Sequence, residues 1–176
     1  DPGTGALAAV AGSPFATGNS PHSVAVDPSG RFAYITHSAN NSVSAYRIDS
    51  ETGGLAAVAG SPFAADIGPT SVEVSPSGRF AYVANWASNS VSAYRINFMT
   101  GALTAVAGSP FATENNPSSV AVDPRGKFAF VVNHDSWTIS VYAIDSTTGV
   151  LTAVAGSPFA AGEEWPYFVA VARIEQ

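Results

Sequence analysis

Cysteine is absent from the 176 residues, which excludes disulfides, thiolate nucleophiles and cysteine-ligated zinc. Lysine occurs once, at Lys127, and only 7 basic residues stand against 13 acidic ones, for a net charge of −6. Neutralising phosphates takes clustered Lys and Arg, so this balance argues against a nucleic-acid partner. Charged residues are 11% of the chain, well below the usual quarter. Ser, Thr and Asn supply the polarity instead. No apolar run approaches the ~20 residues that span a bilayer, so no membrane span is expected. The sequence starts at Asp1 without a Met or a signal peptide, as expected of a mature product, an excised domain or a fragment.

What is present is a repeat. Gly12-Ser13-Pro14-Phe15 returns as Gly60-Ser61-Pro62-Phe63, Gly108-Ser109-Pro110-Phe111 and Gly156-Ser157-Pro158-Phe159, and Thr4-Gly5 returns at Thr52-Gly53, Thr100-Gly101 and Thr148-Gly149. A 48-residue period points to a solenoid, a propeller or an array. Within one copy, four short strands are expected. Ser71 to Val74 is strand A, and Ser75-Pro76-Ser77-Gly78 follows with the Pro and Gly of a type I turn. Arg79 to Ala84 is strand B, whose apolar residues do not alternate cleanly and are expected to be buried on both faces. Val91 to Ile96 is strand C and Leu103 to Val106 strand D. Proline removes a ladder donor, so Gly-Ser-Pro-Phe is expected to end the pairing. Such a meander needs neighbours on both faces, which radial stacking into a β-propeller provides; a linear solenoid would prefer shorter coils.

The runs Arg79-Phe80-Ala81-Tyr82-Val83-Ala84-Asn85 and Pro117 to Asn133 resemble the YVTN-type repeat of bacterial lactonase-like seven-bladed propellers. The resemblance covers essentially the whole chain. It implies a seven-bladed ring, a secreted, periplasmic or cell-surface setting, and a lactonase label.

The expected fold is therefore all-β: a propeller segment of four-stranded antiparallel blades, with three complete blades plus a terminal strand at each end. Leu7 to Val10 would be a strand D and Phe168 to Val171 a strand A, giving 14 strands in a single partial domain over residues 1–176. The copies run near 17–64, 65–112 and 113–160, with partial ones at 1–16 and 161–176. Three blades cannot close a ring, since propellers need roughly four to eight. The expected partners are other copies of the chain or the missing half of the propeller, meeting the open ends.

Comparing the copies separates two ends. The A–B turns (Asp27-Pro28-Ser29-Gly30, Ser75-Pro76-Ser77-Gly78, Asp123-Pro124-Arg125-Gly126) and the Thr-Gly of each C–D turn barely change. Their acidic residues, Asp27, Asp49, Asp123 and Asp145, read as turn residues rather than paired catalytic carboxylates. The B–C and D–A loops differ from copy to copy and carry every Trp and every His. Function, if present, is expected on these loops.

His134 with Asp135 is the densest cluster there: a general base with a carboxylate to orient it, able to drive water onto an ester or lactone. His37 completes the set of candidate catalytic residues. His22, Asn40, Asn85, Trp86, Asn133, Trp137, Glu163, Glu164 and Trp165 are the candidate binding rim, where aromatic faces and amides would suit a sugar. His22 and His37 lack metal-type spacing, so neither a metal nor another cofactor is expected. The residues favour a non-enzymatic extracellular scaffold or binding module that assembles through its incomplete blades. A lactone hydrolase, as the resemblance implies, and a glycan-binding module are the alternatives, with a small lactone or a glycan as ligand.

Overall fold

A computed structural model describes residues 3–162 and 165–171. The described residues contain strands and no helix. The first sheet comprises β1 (Pro21–Val26), β2 (Phe32–His37), β3 (Ser42–Ile48), β4 (Leu55–Ala57) and β5 (Phe63–Ala64). The second repeats it as β6 (Pro69–Val74), β7 (Phe80–Asn85), β8 (Ser90–Ile96), β9 (Leu103–Ala105) and β10 (Phe111–Ala112). The third comprises β11 (Pro117–Val122), β12 (Phe128–Asn133), β13 (Thr138–Ile144), β14 (Leu151–Ala153) and β15 (Phe159–Ala160). All pairings are antiparallel and run in sequence order from the inner strand outward. Strand B is buried on both faces in the first two blades, as its non-alternating pattern requires.

The outer strand departs from expectation. Gly-Ser-Pro-Phe interrupts the pairing but does not end it: β4 and β5 both pair with β3, and the same split recurs in the other blades. The repeated serine bridges the break. Ser61 Oγ accepts the Ala45 amide, Ser109 Oγ that of Ala93, and Ser157 Oγ that of Val141, each at 2.9 Å. A backbone donor that would lose its ladder partner is thus satisfied by a side chain.

The terminal segments also differ. Neither Leu7 to Val10 nor Phe168 to Val171 forms a strand, since the strands B and C that would flank them are not in the chain. The second of these segments is nonetheless seated as a fourth inner strand would be. Ser23 Oγ accepts the Val72 amide and Ser71 Oγ that of Val120; Ser119 Oγ continues the series to Val169. Inner strands therefore lie side by side around a concave surface.

Blades are fastened at the constant end. Tyr34 donates its hydroxyl to the carbonyl of Gly101, and Tyr82 to that of Gly149, in each case one blade onward. Two apolar clusters fill the seams between blades, one around Phe32 and Tyr34 and one around Phe80 and Tyr82.

Candidate functional site

The variable rim gathers its aromatic residues at one place, over the second and third blades and the segment that follows. Trp86 comes from the loop after β7, His134 and Asp135 from the loop after β12, and Trp165 and Tyr167 from the chain beyond β15. The His134 ring has three aromatic neighbours: Trp86 at 5.2 Å, Trp165 at 5.1 Å and Tyr167 at 5.8 Å between centroids. Trp137 joins through Trp165, edge-on at 6.2 Å.

A chain of hydrogen bonds fixes the histidine. His134 Nδ1 lies 2.6 Å from Asp135 Oδ1. The Asn116 amide has one orientation that satisfies both its ends: its nitrogen donates to Asp135 Oδ2 (2.8 Å) and its oxygen accepts from Trp86 Nε1 (2.7 Å). Both carboxylate oxygens are engaged, so Asp135 cannot swing away. With Nδ1–H donated to the carboxylate, Nε2 is left as the acceptor of the imidazole. The His134 side chain is 17% exposed, against 46% for Asp135.

The other candidates fall elsewhere. His37, Asn85 and Asn133 hold one register position at the end of strand B, and all three are buried. Asn85 donates to Ser90 Oγ and Ser92 Oγ, and Asn133 to Thr138 Oγ1 and Ser140 Oγ, so both tie strand B to strand C beneath the rim. His37 replaces the asparagine in the first blade, with neither ring nitrogen hydrogen-bonded and Gly18 packed against the ring. A side chain so enclosed is not presented to a substrate, which corrects the expectation that it acts in catalysis. His22 and Asn40 are exposed on the first blade, outside the cluster. Glu163 and Glu164 lie outside the described residues. Among the described residues no three His, Asp or Glu side chains come together as a metal-holding group, and no helix is long and apolar enough to cross a membrane.

Asn116 and Tyr167 are members of the site that the sequence did not single out. The repeat held a signal for Tyr167: it stands, after a one-residue insertion, where earlier copies have His22, Thr70 and Ser118. Asn116 carried no such mark.

Two tryptophans sit at a conformational cost. Trp137 has φ +54° and Trp165 φ +63°, the left-handed region that bulky residues avoid. The same positions hold Asn41 and Asn89 in the first case, and Ser20, Gly68 and Asn116 in the second. In the earlier copies the asparagine also bridges blades: Asn41 Oδ1 accepts the Gly68 amide (2.9 Å), and Asn89 Oδ1 that of Asn116 (2.8 Å). An indole has no oxygen to offer. Trp137→Asn is therefore expected to stabilise the fold by about 1 kcal/mol, from relief of the left-handed strain and one regained hydrogen bond less the lost ring contact. A urea midpoint that falls instead of rising would refute this. Strain retained in two aromatic residues of one cluster marks a position kept for something other than stability.

Apart from the rim, a concavity of about 270 Å³ lies along the inner strands and the 168–171 segment. Glu73 is its one ionisable lining residue, where the neighbouring copies have Ala25 and Ala121. Burial raises its pKa above the usual carboxylate value.

Comparison with known proteins agrees with this architecture. The family model described as lactonase, 7-bladed beta-propeller matches residues 1–165. A putative 6-phosphogluconolactonase from Bacteroides fragilis superposes with a TM-score of 0.78 at 25% identity, over 88% of this chain and 42% of its own. The periplasmic gluconolactonase of Pseudomonas aeruginosa does so with a TM-score of 0.65 at 26% identity, over 79% and 41%. No curated protein matches the chain. The chain spans less than half the length of these solved structures. The expectation of a structural scaffold is overturned by the family match and by the gluconolactonases among the structural relatives, which favour the lactonase alternative. With the family model matched over all but its last residues, this chain belongs to the lactonase family of seven-bladed β-propellers.

Proposed function

We propose that this chain hydrolyses a small lactone at the rim, with His134 as general base and Asp135 as its orienting carboxylate. The observation that carries this reading is the bonded series Trp86–Asn116–Asp135–His134, which fixes the imidazole tautomer inside an aromatic wall. His134 Nε2 takes a proton from water, and the water oxygen bonds to the lactone carbonyl carbon. The tetrahedral intermediate then collapses, breaking the bond from that carbon to the ring oxygen. The ring oxygen takes the proton back from Nε2, so one water is consumed and one hydroxy acid formed. Indole faces suit the apolar face of a sugar ring, and the two relatives are named for 6-phosphogluconolactone and for gluconolactone. The test is acid release from glucono-δ-lactone by the 176-residue chain, followed in a pH-stat; a rate equal to that of buffer alone overturns the proposal.

The reading extends to a partner. Phe32 and Phe80 pack on glycines of the next blade, whereas their counterpart Phe128 is 39% exposed. A further blade of the same repeat is the complementary cover, supplied by another copy or by more of the propeller. In sedimentation, the chain alone is expected to exceed its 17.9 kDa mass, and Phe128→Arg to return it to that value. A wild-type chain that sediments as a monomer refutes association between copies.

A further inference from the structure

At the end of the blades opposite the rim, where the turns barely change between copies, the second blade breaks the pattern. Its C–D turn reads Asn97-Phe98-Met99-Thr100, where the first blade has Asp49-Ser50-Glu51-Thr52 and the third Asp145-Ser146-Thr147-Thr148. Phe98 and Met99 are 68% and 65% exposed, side by side at the tip of a tight turn. The fold holds Phe98 through its carbonyl, which accepts from the Arg31 guanidinium of the preceding blade, and leaves both apolar side chains in solvent.

The same blade has lost the acidic residues of its turns. Asp27 and Asp123 open the A–B turns on either side, but Ser75 opens this one, and Asn97 stands where Asp49 and Asp145 do. The turn geometry survives the exchange. Ser75 Oγ accepts the Phe80 amide as Asp27 Oδ1 accepts that of Phe32, and Asn97 Oδ1 accepts the Thr100 amide as Asp49 Oδ1 accepts that of Thr52. What changes is charge. At this end the first blade sets Arg31 and Arg47 against Asp27, Asp49 and Glu51. The third sets Arg125 and Lys127 against Asp123 and Asp145, whereas the turns of the second leave Arg79 and Arg95 unopposed. Both guanidiniums lie over the Phe80 ring, at 5.6 and 5.2 Å, and donate to the Ser146 and Thr147 carbonyls. With Arg31 bonded at Phe98 itself, three exposed arginines accompany the apolar tip.

We infer that this end of the blades docks on an anionic lipid bilayer, with Phe98 and Met99 entering at headgroup level and Arg31, Arg79 and Arg95 meeting lipid phosphates. A stable protein partner needs about 1,000 Å² of complementary contact, more than two side chains on a convex turn provide. A bilayer needs no shaped counterpart: it yields to a small apolar tip and attracts cations near its surface. Guanidinium forks suit phosphate oxygens, and each of these is already steadied by a carbonyl. The docking does not depend on the lactonase reading. It turns the rim away from the lipid, since the whole of β8, seven residues long or roughly 20 Å at the usual strand rise, separates Trp86 from Phe98.

The 176-residue chain would be sedimented with sucrose-loaded vesicles of phosphatidylcholine, alone or with about a third phosphatidylserine. Binding is expected to the mixed vesicles, at least about tenfold weaker to pure phosphatidylcholine, and lost in about 1 M NaCl, where the screening length falls to about 3 Å. Two double variants place first-blade residues on the second blade: Phe98→Ser with Met99→Glu, and Ser75→Asp with Asn97→Asp. Each should weaken binding about tenfold, with folding checked by the emission of the three tryptophans, all at the far rim. Failure to sediment with the mixed vesicles overturns the inference, as does a Phe98→Ser, Met99→Glu variant that binds like the wild type. Quenching of the tryptophans by brominated lipid would place the rim against the bilayer and overturn it too. Capture by soluble polyglutamate in preference to vesicles would assign this end to an acidic protein instead.

Discussion

His134→Ala is expected to lower lactone hydrolysis by about 10²- to 10⁴-fold, the usual contribution of a positioned general base. The loss should appear in kcat more than in KM, because the imidazole meets the substrate chiefly through the proton moved in the transition state. Asp135→Asn separates positioning from proton transfer. An asparagine can either donate to or accept from Nδ1, so it no longer dictates which nitrogen carries the hydrogen. A substantial kcat loss is therefore expected from this variant too, with the aromatic wall left in place. Trp165→Ala should instead raise KM, since it removes a face of the wall and leaves the dyad bonded. If His134→Ala retains turnover within a factor of a few, the dyad is not the base, and Glu73 in the inner concavity, a carboxylate whose pKa burial raises, becomes the next candidate.

How much of this was legible in the sequence follows from the range over which each feature is decided. Strand B could be read because Phe80 to Asn85 is local: its apolar pattern and the Pro and Gly before it suffice. The continuation of the outer strand could not. A prolyl residue marks a missing donor, but only the fold shows that Ser61 Oγ reaches Ala45, 16 residues earlier, and lets pairing resume at Phe63. The candidate site divides in the same way. Copy-to-copy variation placed Trp86, His134, Trp137 and Trp165 at one end of the blades. Their convergence depends on which loops of adjacent blades meet, and that follows from the seams rather than from the motif. Asn85 and Asn133 were misjudged as rim residues for a related reason. They end a strand next to a variable loop, yet their amides turn inward to hydroxyls on strand C. The repeat carried part of that information, since asparagine recurs at this position in two of the three copies.

Gly149→Ala is expected to destabilise the chain by about 3 kcal/mol, a large share of the 5–15 kcal/mol typical of a folded domain. Two costs combine. The residue has φ +80°, where an L side chain loses roughly 1–2 kcal/mol. An added Cβ would also lie 2.4 Å from Phe80 Cδ1 and 2.6 Å from Cε1, and forcing such an overlap costs about 1–3 kcal/mol. Phe80 cannot yield easily. It is buried in the seam, the Arg79 and Arg95 guanidiniums lie over its ring at 5.6 and 5.2 Å, and its neighbour Tyr82 donates to the Gly149 carbonyl at 3.2 Å. Burial raises the pKa of that hydroxyl, which keeps it a donor through the neutral range. The repeat contains its own controls. Gly5 and Gly53 hold the same turn position with φ +70° and +73°, yet an added Cβ meets nothing at Gly5 and only Val10 Cγ1 at 3.3 Å at Gly53. Gly53→Ala should therefore cost about 1–2 kcal/mol, the backbone share alone. Urea midpoints that drop equally for Gly53→Ala and Gly149→Ala would mean that Phe80 gives way, and that the blades are not locked by the fit of a phenyl ring against a bare glycine. A drop confined largely to Gly149→Ala would identify that fit as what makes the glycine irreplaceable at the two seams that have it, Gly101 against Phe32 and Gly149 against Phe80.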